Sequence, residues 1–267
     1  MNNYDKNIYI PKELSIFHSN LTNSAEQAAL LNPIQQSCYL HESKFAGLPL
    51  VLDKMEHPKD INNNYMLFLA QLNFSEFQLA QPFPKEGILQ FYISQRCYEQ
   101  VKYCSENCYF KVQYIPLSED YLHPVQDFTY LNGVNFEHFP MRHEMKLVVR
   151  TQFEPVSATD YRLENYFENE LMNASITLDE RSFQDVYLEI YLAAEHKVGG
   201  YPYFIHKDFR KGSPFLQRYD TLLLQIVSND EQGIMWGDSG IISFFINSKK
   251  LAQLDFSDIY FHVEEYE

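Results

Sequence analysis

Two segments of this chain repeat each other. Lys-Phe-Ala-Gly-Leu-Pro-Leu at 44–50 matches Lys-Val-Gly-Gly-Tyr-Pro-Tyr at 197–203, aligning Lys44 with Lys197, Gly47 with Gly200 and Pro49 with Pro202. Further on, 65–73 matches 219–227, pairing Tyr65 with Tyr219 and Gln71 with Gln225. Residues 85–94 then match 238–247 through Gly87 and Gly240, and Tyr-Phe-Lys-Val at 109–112 matches Tyr-Phe-His-Val at 260–263. The spacing stays near ~153 residues, and ordered self-similarity of this kind restricts the fold more than any single motif does.

Each copy reads as a β-rich unit. Met-Leu-Phe-Leu-Ala-Gln-Leu and Thr-Leu-Leu-Leu-Gln-Ile-Val are apolar runs of strand length, suited to burial on both faces. The segments opening at Gly87 and Gly240 read as strands leaving tight turns. Residues 108–117 alternate, with Phe110, Val112 and Tyr114 on one face, and 144–153 form another expected strand. Three helices are expected. The first spans 24–31, with Ser24 as N-cap, Gln27 as its capping-box partner and a stop before Pro33. The second spans 160–171, with Leu163, Phe167 and Leu171 on one stripe. The third spans 179–197, with Phe183, Val186, Tyr187, Ile190 and Ala194 on another. The segment near 150–160 joins the copies and is no flexible tether. The chain therefore divides into an arm and helix at 1–40, a first repeat at 41–150 and a second at 151–267. Residues 1–267 pack as one domain, a pseudo-two-fold body with a few flanking helices.

The motifs Ser-Lys-Phe-Ala-Gly-Leu-Pro-Leu, Phe-Pro-Lys-Glu-Gly-Ile-Leu-Gln-Phe-Tyr-Ile, His-Lys-Val-Gly-Gly-Tyr-Pro-Tyr-Phe, Met-Trp-Gly-Asp-Ser-Gly-Ile-Ile-Ser-Phe-Phe-Ile and Asp-Phe-Ser-Asp-Ile-Tyr-Phe-His recur in order. Together they resemble the YwqG-like family of bacterial proteins over residues 40–267. That resemblance implies an α+β fold, mostly antiparallel β, and carries no catalytic residues with it. The first copy departs from the second at Ala46, where the second has Gly199.

Charge narrows the partners. A formal net charge of −15 repels nucleic-acid phosphates and steers a basic partner protein, such as a toxin, toward the chain. No secretory signal opens the sequence, and no window approaches the ~18 apolar residues of a membrane span, so a cytoplasmic protein without a membrane partner is expected. Cys97, Cys104 and Cys108 lack knuckle spacing, and His138 and His143 lack helical spacing, so no metal or cofactor is assigned.

Gly-Asp-Ser-Gly at 237–240 copies the surroundings of a protease nucleophile. Its counterpart in the first copy carries Lys85 and Glu86 at the Asp238 and Ser239 positions, and no histidine stands in the required setting, so a turn is expected. Gln71 and Gln225 interrupt apolar strands at equivalent places. They either satisfy backbone groups at the seam or line a shared cleft. With Lys197, Gly199, Gly200, Trp236 and Asp238 they form the candidate ligand-binding set. Asp220, Asp238 and His196 are the candidate acid–base groups of an enzyme acting on a small polar substrate between the repeats. The leading expectation is a non-catalytic binding or protein-interaction module.

Overall fold

In a computed structural model the structure describes residues 6–95, 109–116, 123–176 and 180–266. Ten strands form one sheet: β1 (Glu26–Ile34), β2 (Lys44–Phe45), β3 (Leu67–Asn73), β4 (Ile88–Ile93), β5 (Phe110–Ile115), β6 (Met145–Glu154), β7 (Lys197–Gly199), β8 (Thr221–Val227), β9 (Gly240–Ile246) and β10 (Ile259–Glu265). Their order is β10-β9-β8-β7-β1-β6-β2-β3-β4-β5, and every neighbouring pair is antiparallel. β1 and β6 form the midline along nine paired residues. The sheet curls until its ends meet. Phe110 of β5 lies 5.4 Å from Phe261 of β10, and Phe91 of β4 lies 5.0 Å from Phe244 of β9. The result is nearly barrel-shaped.

β3, β4 and β9 are buried at every residue, as their unbroken apolar runs require. Inner residues such as Leu69, Leu89, Phe91, Leu224, Ile242 and Phe244 fill one continuous core. A bulge between Phe68 and Ala70 reverses the alternation of β3, and another between Leu222 and Leu224 does the same in β8. In each strand the bulge sets two consecutive residues, Leu69 and Ala70 or Leu223 and Leu224, into the main core, and the glutamine that follows, Gln71 or Gln225, turns to the outer face.

The helices among the described residues are short: α1 (His18–Ser24), α2 (Asn169–Met172) and α3 (Phe183–Ile190) form a layer outside the sheet, whereas Leu251 of α4 (Ser248–Ala252) joins the main core. Phe167, Phe183, Val186 and Tyr187 build a second core between this layer and the outer face. No helix among the described residues is long and apolar enough to cross a membrane.

Three helical expectations need correction. Residues 26–34 form a strand, and Ser24 closes the preceding helix instead of opening a new one. Ala28 to Leu31 are all buried, and the ladders to β6 and β7 override the helix propensity of the Ala-Leu run. The expected 160–171 helix splits into a 3-10 turn at Tyr161–Asn165 and the four-residue α2. Its stripe nevertheless packs as a unit, with Phe167 buried and Leu163 and Leu171 against the same core. The third helix starts at Phe183, capped by Ser182, and ends at Ile190, so His196 and Lys197 belong to the approach to β7 and to β7 itself.

Candidate functional site

The two glutamines have the same local task. Gln71 Oε1 accepts from Leu50 N–H at 3.0 Å, while its Nε2 donates to the carbonyls of Leu40 at 2.7 Å and Glu42 at 2.9 Å. Gln225 Oε1 accepts from Tyr203 N–H at 2.8 Å, and its Nε2 donates to the carbonyls of Ala193 and Glu195, both at 2.9 Å. Each amide therefore fastens the loop that returns over its strand. In the first half the amides continue outward, with Gln90 Nε2 donating to Gln71 and Gln113 Nε2 donating to Gln90.

The lysines beside them are fully buried and paired. Lys44 lies 3.2 Å from Glu144 at the entry to β6, and Lys197 lies 2.6 Å from Glu154 at its end. Each carboxylate packs on a glycine three residues after its lysine. At Gly47 an added Cβ would overlap Glu144, and at Gly200 it would overlap Glu154 and stand 2.8 Å from the Ala28 Cβ. Both glycines also take positive φ, so the loops need them on two counts. Ala46 adopts φ 55°, close to the 70° of Gly199, and accepts the left-handed conformation with a side chain.

Other sequence candidates scatter. His196 is buried; its Nδ1 accepts from Val227 N–H and its Nε2 donates to Gln232 Oε1, so both ring nitrogens are occupied. Burial pushes its pKa down, which suits a neutral structural imidazole. Asp238 is exposed in the turn that feeds β9, and Ser228 Oγ ties that turn by accepting from Trp236 and Gly240 N–H. Trp236 is buried in the main core, with no acceptor for its indole N–H among the described residues. Cys97, Cys104 and Cys108 lie outside the described residues, among which no group of three or more His, Cys, Asp or Glu is placed to hold a metal ion.

Asp220, Gly199 and Gly200 do converge. They line a recess of about 450 Å³ together with Glu26 and Gln27 from β1, Ala80 to Phe83, Phe153, Arg162 and Ser248. The recess thus sets residues 25–27 and 80–83 against residues 153–248, where the two halves of the chain meet. Gln27 Oε1 holds its rim by accepting from Ala80 N–H at 2.7 Å. Asp220 caps α4, with Oδ1 accepting from Ser248 N–H at 2.7 Å and Oδ2 from Ser248 Oγ at 2.9 Å.

Behind the recess runs a chain of charges. Arg162 donates to both oxygens of Asp160 at 2.8 Å, stacks 4.5 Å from the centre of Tyr201 and reaches Glu26 at 3.4 Å. Asp160 also accepts from Arg210 at 2.9 Å, and Arg210 makes its own two-pronged pair with Asp208. Burial alone would raise the Asp160 pKa, but the hydrogen bonds and charge of Arg162, with Arg210 behind, hold it below the usual range. Glu26 differs. Its side chain is about 45% exposed, yet the protein packed around its carboxyl pushes its pKa up against the pull of Arg162.

Sequence reading passed over Glu26 because it lay in an expected helix. It also passed over the buried arginine network, although one signal was present. Asp160-Tyr161-Arg162 and Asp208-Phe209-Arg210 are both Asp–aromatic–Arg tripeptides, and each folds into the same two-pronged pair.

No curated protein matches the chain. A family described only as a domain of unknown function, DUF1963, matches residues 43–264, so the chain belongs to the DUF1963 family.

Proposed function

We propose that this protein is a non-catalytic binding module, built from two copies of one unit, whose ligand seat is the recess between them. One observation carries the reading: the recess of about 450 Å³ draws its lining from both halves and mixes carboxylates, an arginine and apolar walls. Ligand pockets of roughly 300–1,000 Å³ have this character, with few polar groups on a largely preformed frame. The duplication is supported by the sheet order, by the matched bulges in β3 and β8, and by the parallel bonding of Gln71 and Gln225. The resemblance to YwqG-like proteins is compatible with DUF1963 membership. Of the three acid–base candidates only Asp220 borders the recess, which favours binding over turnover.

The test is a thermal-shift screen against small polar molecules of either charge, repeated on Ala80→Trp. Ala80 is exposed at the rim, so an indole there fills the mouth without entering the core. Hits on the unmodified protein should disappear in the variant while its unliganded melting temperature holds. Hits that persist unchanged in Ala80→Trp would place the seat elsewhere and defeat the proposal.

A further inference from the structure

We infer that the recess takes a small organic cation, an ammonium or guanidinium group on a short apolar stem. The inference rests on the binding reading above and adds the ligand's chemical class. Two carboxylates border the recess, Glu26 and Asp220, and one cation, Arg162. That cation is already committed. Asp160 occupies its fork from behind through two 2.8 Å bonds, and Tyr201 covers one face at 4.5 Å, leaving a single long 3.4 Å approach to Glu26. Of the other bases nearby, Lys197 is fully buried and held by Glu154 at 2.6 Å, Arg210 is fully buried between Asp160 and Asp208, and Lys6 donates to the Ala25 carbonyl at 2.6 Å. None of them offers an anion a free two-pronged partner.

The carboxylates are not neutralised to the same extent. Asp220 receives its hydrogen bonds from Ser248 N–H, Ser248 Oγ and Thr221 Oγ1, all uncharged donors, so none of these partners offsets a carboxylate charge. Glu26 shares Arg162 with Asp160, which lies closer to the guanidinium. The potential at the recess is therefore negative. An entering anion would meet two like charges, whereas a cation would meet two opposite ones at reduced dielectric. Apolar surface from Phe83, Phe153 and Leu222 lines the same space and can cover an alkyl stem. A guanidinium suits Glu26 best, since its planar fork matches a carboxylate in two bonds.

Calorimetric titration with three probes tests this: agmatine as the cation, butane-1,4-diol as the neutral analogue and glutarate as the anion. Agmatine should bind the unmodified protein, and the other two should not. Glu26→Gln keeps the shape of the side chain and removes its charge, so agmatine affinity should fall at least tenfold. Glu26→Asp should recover part of that loss. A denaturation midpoint for each variant separates lost binding from lost folding, and Asp220→Asn is read the same way because it also weakens the cap of α4. The inference is overturned if agmatine does not bind, or if Glu26→Gln leaves its affinity within twofold. Glutarate or butanediol binding that Ala80→Trp abolishes would overturn the cation class while leaving the seat in place. Agmatine binding that survives Ala80→Trp would remove the seat itself.

Discussion

Arg210 has no solvent exposure, and Asp160 and Asp208 are nearly as deeply enclosed. Charges buried this far persist only when each finds a close partner, because isolated ions pay several kcal/mol in lost hydration. Asp160 is the shared member, accepting from both Arg162 and Arg210. Asp160→Asn removes the charge that two guanidinium groups need, and we expect a stability loss of about 3–5 kcal/mol in urea denaturation at neutral pH. The folded-state pKa of Asp160 is depressed, so its contribution is present above the ordinary carboxylate range and is lost as pH falls below about 4. The difference between Asp160→Asn and the unmodified protein should therefore shrink in acid; a constant difference would contradict the assignment. Little of this was legible beforehand. The two Asp–aromatic–Arg tripeptides can be read from the chain, but nothing local reveals that distant tripeptides share one carboxylate. Glu26 was hidden for another reason, since its role depends on a strand where local propensity favours a helix.

Strands were the readable elements. β3, β4, β5, β6, β8 and β9 fall where apolar runs or alternation placed them, because strands buried on one or both faces carry that pattern directly. β1 escaped, as its Ala-Ala-Leu-Leu run suits either element and only the ladders to β6 and β7 decide between them. The glutamines were visible as interruptions, whereas the bulges that turn them outward were not. That geometry predicts the effect of Gln225→Leu. The change leaves the buried Tyr203 N–H without its acceptor and the half-buried carbonyls of Ala193 and Glu195 to be met by water, and an unmet buried group costs about 1–3 kcal/mol. We expect a loss of about 1–3 kcal/mol, with faster hydrogen exchange at Tyr203. A loss below about 1 kcal/mol would show that the loop finds other partners.

At the scale of the whole molecule, one ten-stranded sheet runs through both halves of the chain. Its order places β1 beside β6 and β7, so the first strand of the chain is held by strands that come after β5. A fragment ending between β5 and β6 would keep β2 to β5 but leave β1 without either neighbour. We expect the two fragments made by cutting there to lack cooperative melting alone and to regain it when mixed in equal amounts. An N-terminal fragment that melts cooperatively by itself would refute this. The same strand placement governs traffic at the recess. The halves cannot swing apart like jaws without unzipping all nine rungs of the midline. A guest beside Glu26 must instead enter and leave between walls that this ladder keeps from parting.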